Sequence, residues 1–375
     1  MNKIEQVNLT QGAASCFLPG TNIQYAWDST SLGLLKQCPR LYQYTMIEGW
    51  QSKDENVHLR FGQEYHSVLE DYDRLKTQGA DHDEAMFEAI RHLLIRTWEH
   101  DKDEETGLII KGTGHPWETD PDTKAGKYKN RKSLIALVID YLDKFSEDPA
   151  ETFILEDGKP GVELSFRFEL DWGPKAAKKQ IGEGKLGEFI HAETDVRFTV
   201  GTVEGDNVKI YETQPYLLSG HLDRVVTFQD SLFVMDRKTA TFTLSDYYFV
   251  QFEPSNQMTL YSLAAKIVLN APVKGVIIDA AQIKLEDNHA YVRRFTYRTE
   301  GQLEEWVQDL KFWFSQAETY AEANHWPMND TACSMYGGCR FRDICSKDPG
   351  VRENFLKSKF NQLPPEERWN PLKSR

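Results

Sequence analysis

No apolar run in this chain approaches the roughly 18 residues needed to cross a bilayer, so no membrane contact is expected. The first residues lack a basic stretch followed by an apolar one, which argues against secretion and for a cytoplasmic setting. Cysteine is scarce: five among 375 residues, too few for a disulfide scaffold in a chain large enough to build its own core. No internal repeat or low-complexity tract is present, which removes repeat arrays. Positive charge is in deficit, with 44 Lys and Arg against 58 Asp and Glu and a net charge of −14. That balance excludes a surface coated throughout with nucleic acid, but not a local basic groove. Lys124–Lys132, Lys175–Lys185 and Arg352–Arg375 are the stretches that offer one, and each also reads as a solvated charged loop.

Against these absences, 40% of the residues are hydrophobic and 12% aromatic, enough for one large domain or two ordinary ones. The most informative segment runs from Gly220 to Thr239. Gly220 sits in a turn-like setting, and Asp223 follows it. Leu222, Val225 and Phe228 alternate with polar residues, Gln229-Asp230-Ser231 reads as a turn, and Leu232-Phe233-Val234-Met235 is a β-favouring run. The result is a hairpin ending in Asp236-Arg237-Lys238. Side chains alternate along a strand, so Asp236 and Lys238 share a face, Arg237 points away, and its backbone carbonyl lies between them. Carboxylate oxygens suit a hard divalent cation, and a lysine beside such a cation can position or deprotonate water. The set suits metal-assisted hydrolysis of a phosphate ester. A surface hairpin ending in an Asp–Lys salt bridge is the plainer alternative.

Two helical motifs accompany the hairpin. Phe61, Tyr65, Val68, Leu69 and Tyr72 form one apolar stripe, with Gly62 and His66 four residues apart on one face. A glycine there lets a backbone or a substrate come close to the imidazole. Downstream, Gln257 and Tyr261 stand at i and i+4 on a helix expected over 254–269, with Leu260, Leu263, Ala264 and Ile267 on its buried side. Three of the cysteines form a C-x5-C-x5-C run, Cys333, Cys339 and Cys345, with Gly337-Gly338 between the first two. Tetrahedral or cubane ligation needs a fourth thiolate, and Cys38, in a Cys-Pro-Arg-Leu-Tyr context, is the natural one.

With Gly220, Asp223, Asp236, Lys238 and Thr239 in this order, the hairpin resembles the core of the PD-(D/E)xK nuclease superfamily in its RecB-like exonuclease branch. That resemblance brings His66 in as a metal ligand and Gln257 and Tyr261 as a Gln-x-x-x-Tyr motif that binds the substrate strand. It also makes Glu163, near the start of a strand over 162–170, an accessory or second-metal residue. Cys38 followed by three late cysteines is similar to the iron–sulfur members, the AddB-type nuclease domains and the CRISPR-associated adaptation exonucleases. In those a [4Fe–4S] cluster is held by one early and three late cysteines; zinc is the rival, since four thiolates suit it equally. Cys38 and Cys333 lie 295 positions apart, and closing so long a loop would stabilise the fold by roughly 5–6 kcal/mol.

The resemblance implies an α/β, restriction-endonuclease-like core, a mixed central sheet flanked by helices. The expected organisation is a helical part over 1–150 carrying Cys38 and His66, and the sheet and Gln-x-x-x-Tyr helix over 151–298. A helix and cysteine loop follow over 299–346, then an irregular tail over 347–375. Within these, helices are expected from Ser29 or Ser31 to about Tyr44, bent at Pro39, and near 58–77, 82–100, 130–146 and 299–324. Asp101–Asp122 reads as a loop. Strands are expected at 162–170, 192–204, 208–213, 215–228, 232–239, 273–284 and 289–297, with 172–190 as an insertion. The implied activity is Mg- or Mn-dependent DNA cleavage. His66, Asp223, Asp236 and the Arg237 carbonyl would hold the metal, and Lys238 would activate water. Exonucleolytic action on single-stranded or frayed ends is expected, in a bacterial or phage-infected cell, with helicase or recombination proteins as partners. A non-catalytic DNA-end-binding scaffold and an endonuclease are the alternatives.

Overall fold

The computed structural model describes residues 15–101, 113–177, 179–185, 198–204, 207–212, 214–285 and 288–373. Part of the loop expected over Asp101–Asp122 and the front of the strand expected at 192–204 lie outside these residues. The chain divides into two compact units, one comprising Met1–Lys53, Ser165–Gly220 and Glu300–Arg375, the other Asp54–Leu164 and His221–Thr299. None of the helices among the described residues is long and apolar enough to cross a membrane.

The second unit opens with three long helices and, before the third of them, a five-residue helix over Lys124–Tyr128. Helix α1 (Val57–Thr77) starts at Asn56, whose side chain accepts the N–H of Leu59, and it buries the predicted stripe of Phe61, Tyr65, Val68, Leu69 and Tyr72. Helix α2 (His82–Arg96) has Asp81 as its cap, Asp83 and Glu84 in its first turn and Arg96 in its last, charges that oppose the helix dipole correctly. It stops four residues short of the expected end; Trp98-Glu99 leave the helix to pair with His115-Pro116. Helix α3 (Arg131–Lys144) begins with a reciprocal Asn130–Ser133 capping box. The apolar faces of the three helices form one cluster that also takes in Ala281 and Ile283.

The sheet follows. Strand β1 (Val162–Glu169) and strand β2 (Leu217–Phe228) each have residues in both units. Strand β3 (Ser231–Ala240) pairs antiparallel with β2, with Phe228 opposite Ser231. The turn is therefore two residues long, not three. Gln229 and Asp230 take φ of 49° and 55°, the left-handed values of a type I′ hairpin whose twist matches that of the strands. Helix α4 (Asn256–Leu269) carries the chain over to strand β4 (Val273–Gln282), parallel to β3 from Leu232↔Val273 to Ala240↔Gln282. A parallel neighbour demands such a crossover. Strand β5 (Ala290–Thr296) is antiparallel to β4. The mixed sheet with flanking helices is the α/β architecture the sequence implied. Gly220 is not in a turn but inside β2; a Cβ there would lie 2.7 Å from the ring of Phe166, so only hydrogen fits.

An ionic network is buried in this unit. Arg237 lies 2.7 Å from Asp73, and Arg224 lies 3.5 Å from Asp73 and 3.4 Å from Asp148. Arg293 approaches Asp148 at 2.6 Å and Asp279 at 3.2 Å, and the Tyr141 hydroxyl donates to Asp279 at 2.5 Å. Three guanidinium groups thus balance three carboxylates, the condition for keeping charges out of water.

In the first unit the helix expected to run on to Tyr44 stops at Gln37. Asp28 caps it, with Ser31 completing a capping box, and Cys38 is extended at φ −164°. The cause is Pro39, which disfavours helical geometry in the residue before it and opens the next short helix, Pro39–Tyr42. A π-helical turn follows over Gln43–Ile47. Lys179–Lys185, Phe198–Glu204 and Asn207–Glu212 make a separate three-stranded sheet, so the insertion expected over 172–190 continues into the next hairpin. The long helix expected over 299–324 runs over Glu300–Glu322. The tail is more ordered than expected: Arg352–Lys359 is a helix, and Phe360–Gln362 pairs with Trp50–Ser52.

Candidate active site

The β2–β3 ladder runs from the hairpin turn to Arg224↔Met235. One step beyond, a side chain enters the gap between the strands: Asp223 Oδ2 accepts the N–H of Arg237 at 3.2 Å. This fixes the Asp223 carboxylate beside the backbone that separates Asp236 from Lys238. Asp236 is fully buried, and Lys238 Nζ spans it, 2.9 Å from Oδ1 and 2.7 Å from Oδ2. The Arg237 side chain leaves for Asp73, as strand alternation requires, and only its carbonyl remains to serve the site.

Helix α1 supplies the imidazole. His66 Nδ1 is 3.2 Å from Asp223 Oδ2. Nothing lies within 4 Å of the point where Gly62 would carry a Cβ, so the surface beside His66 is open. Glu163 completes the group. The alternation expected at the start of β1 breaks there, with Glu163 at a left-handed φ of 47°. Such a conformation costs a non-glycine residue of order 1 kcal/mol, and strain of this kind gathers at functional sites. The donor atoms of His66, Glu163 and Asp223 all lie within 4.8 Å of one another. The sequence made Glu163 an accessory residue; the geometry puts it in the tightest donor set, with Asp236 and Lys238 alongside.

Electrostatics ties these groups together. Burial raises the Asp236 carboxyl to about 6, a rise that Asp223 reinforces and the Lys238 charge only partly offsets. Burial disfavours charge on Asp223 too, but the charge and hydrogen bond of His66, with Lys238 and the Arg237 N–H, hold its pKa well below the usual range. For His66, the charge and hydrogen bond of Asp223 outweigh burial and raise the imidazole. Lys238 is raised as well, Asp236 and Asp223 overcoming its desolvation. Two acids, one imidazole and one ammonium meet in one partly open space, with Asp236 fully buried and the His66 and Lys238 side chains 27% and 26% exposed. Carboxylate oxygens with an imidazole nitrogen are a donor set that fits a divalent cation of the Mg, Mn class.

Gln257 and Tyr261 do face one way: Gln257 Nε2 donates to the Tyr261 hydroxyl at 3.0 Å. Helix α4 begins two residues later than expected, capped by Ser255. From Met258 to Ala265 every residue is buried, so the helix has no solvated face in that stretch. The Tyr261 hydroxyl is raised well above its usual pKa, by burial first and then by the charges of Asp223 and Asp236, which places it near the acids. Two residues the sequence did not single out also belong to this neighbourhood. Asp73, seven residues after His66 on α1, anchors Arg237; its one signal was a carboxylate beside the apolar stripe. Lys129 Nζ donates to Thr239 Oγ1 at 3.3 Å; its signal was the basic stretch as a whole.

The cysteines lie in the first unit. Cys38, Cys339 and Cys345 meet in one hydrophobic cluster with Leu41, Tyr44, Phe341 and Ile344. Cys339 N–H bonds the Cys333 carbonyl at 3.0 Å, and Asn329 N–H points at Cys38 Sγ at 3.3 Å. Tetrahedral zinc places its sulfurs about 3.8 Å apart. Among the described residues, His66, Glu163 and Asp223 alone form a group of three or more donor atoms within 4.8 Å of one another, so the thiols are neighbours without being a closed four-sulfur set.

No curated protein matches the chain. A family model does, over residues 27–346, a span that holds every residue of the site just described. Buried acids and a lysine at the end of a hairpin in a mixed sheet are thus joined by a match over most of the length, and the chain belongs to the PD-(D/E)XK nuclease superfamily.

Proposed function

We propose that the second unit is the catalytic unit of a RecB-like, Mg- or Mn-dependent deoxyribonuclease that acts as an exonuclease on single-stranded or frayed DNA ends. Membership of the superfamily implies a metal-dependent nuclease with DNA as substrate. The observation that carries the finer reading is the convergence of His66, Glu163 and Asp223 donor atoms within 4.8 Å, beside the Asp236–Lys238 pair.

His66, Glu163, Asp223, Asp236 and the Arg237 carbonyl would hold the cation. When bound, a divalent cation supplies positive charge for the phosphate oxygens and makes water more acidic. Lys238, kept protonated by the two acids, donates hydrogen bonds and orients the attacking water, and passes charge stabilisation to the scissile phosphate. Burial of Asp236 excludes bulk water from this geometry. Gln257 and Tyr261 position the strand by its backbone, which gives little sequence preference.

In the first unit we propose that Cys38, Cys333, Cys339 and Cys345 ligate a [4Fe–4S] cluster. The packing of Cys38, Cys339 and Cys345 against one hydrophobic cluster supports this. Helicase or recombination proteins would be the partners.

The test is direct. End-labelled linear DNA should be degraded with Mg or Mn and not with EDTA, while a closed circle should survive. Cleavage of the circle replaces the exonuclease with an endonuclease. Binding of DNA ends without any cleavage by the native protein makes it a scaffold instead. Absorbance of anaerobically purified protein near 400 nm reports the iron–sulfur group; zinc in stoichiometric amount with no such band removes it.

A further inference from the structure

Lys129 is 5% exposed, yet none of the described residues offers it a carboxylate. Its ammonium has the Thr239 hydroxyl at 3.3 Å and the ring of Phe61, whose centroid is 5.3 Å away. A long bond to a neutral hydroxyl and one ring face do not replace the hydration of an ammonium ion. Every buried arginine of the ionic network has a carboxylate within 3.5 Å; this lysine is built on the opposite plan.

Its position explains what it lacks. Thr239 follows Lys238 on β3 and by strand alternation shares the face of Arg237, so the ammonium sits beside the end of the catalytic strand, on the face opposite Asp236 and Lys238. Phe61 precedes the open surface at Gly62 and stands five residues before His66. Lys129 also lies within a stretch without acids: from Thr123 to Ile139 there is no Asp or Glu, and Lys124, Lys127, Arg131 and Lys132 stand in it. Arg131 likewise bonds to neutral acceptors, the Thr97 hydroxyl at 2.9 Å and the Leu94 carbonyl at 3.2 Å. In a chain of net charge −14, a cation-only segment delivers its one buried ammonium next to the catalytic strand.

We propose that Lys129 is a binding residue for a backbone phosphate of the DNA other than the scissile one, an anion that its carboxylate-free surroundings leave it able to bind. Burial alone pushes the lysine down to about 8, so it is still charged at neutral pH when a phosphate arrives, and a bound phosphate would hold it so. The inference rests on the nuclease reading of the neighbouring acids, but it concerns binding and not cleavage.

The experiment measures affinity for a fluorescent single-stranded oligonucleotide across a salt series in EDTA, for the native protein, Lys129→Met and Lys129→Arg. Each phosphate contact contributes about 0.7 to the slope of log affinity against log salt on a single strand. Lys129→Met should lower the slope by about that amount and weaken low-salt binding about tenfold. Lys129→Arg should restore the slope, and manganese affinity should be unchanged in both. An unchanged slope in Lys129→Met, or a slope lost equally in the arginine variant, overturns the proposal; should Lys129→Met fail to fold, the arginine variant decides alone. Native protein that binds with the full slope but never cleaves would sink the nuclease reading and leave this one standing; native protein that binds no DNA sinks both.

Discussion

Replacing Asp73 with Asn should destabilise the protein by about 3–5 kcal/mol, although the residue touches no substrate. Among the described residues, the Arg237 side chain has one hydrogen-bond acceptor, Asp73 Oδ2 at 2.7 Å, and its Nε has none. Both side chains of this pair are only 4% exposed. Removing one member of a buried pair strands the other charge, and 3–5 kcal/mol is the usual cost. Arg237→Met should be milder, because Asp73 keeps Arg224 at 3.5 Å. The double variant Asp73→Asn/Arg237→Met removes both charges together and should recover at least about 2 kcal/mol relative to the sum of the single effects.

Urea denaturation gives the free energies, and thermal melting should shift by roughly 2–4 °C for each kcal/mol in a unit of this size. The losses should persist in 0.5 M salt, since buried pairs are poorly screened. Asp73 and His66 sit on one helix, seven residues and thus two turns apart, so the same variant should also weaken manganese binding as α1 loses its hold on β3. Strictly additive single effects, or an Asp73→Asn loss below about 1 kcal/mol, would refute the account of the network.

Further outcomes follow from the site. Lys238→Ala should lower the cleavage rate at least about 10²–10⁴-fold with an unchanged circular dichroism spectrum; near-native turnover removes Lys238 from the chemistry. Divalent-cation affinity should fall with pH, because the cation must displace the proton held on His66 by Asp223 and the proton taken up by Asp236 at about 6. Calorimetry at pH 8 and pH 5 reads this as about a tenfold loss per unit per proton displaced, and an affinity flat over that range contradicts it. Tyr261→Phe should raise the substrate KM more than it lowers kcat, because the hydroxyl is assigned to positioning; the reverse split would assign it to the chemical step. Cys333→Ala should lower DNA binding and release bound iron, and an iron-replete variant with full binding removes the cysteine assignment.

The sheet was legible because its signals are local. A β-favouring run after alternating apolar residues gives a hairpin, and apolar residues at helical spacing give α1 to within a residue at its start. What escaped was set by contacts between distant segments. Gly220 read as a turn residue, since glycine marks turns by default; its reason is the Phe166 ring, more than fifty residues earlier. The end of the first helix depended on Pro39, visible in the sequence but underweighted as a bend instead of a stop.

Glu163 shows why a site is harder to read than a fold. Perfect alternation over 162–170 made it one more strand residue, and nothing local announced its left-handed backbone. That conformation turns the carboxylate toward His66 and Asp223, which come from a helix almost a hundred residues before it and a strand sixty residues after. Chemistry-bearing side chains were recognisable singly by type, because carboxylate, imidazole and ammonium state their own reactivity. Their mutual distances depend on how β2 and β3 part beyond Arg224 and Met235, so that Asp223 reaches the Arg237 N–H. The parting of two strands is a property of packing, and Asp73, Arg224 and Arg237, which fix it from beneath, look in the sequence like ordinary surface charges. The least conspicuous residues therefore set the geometry on which the conspicuous ones act.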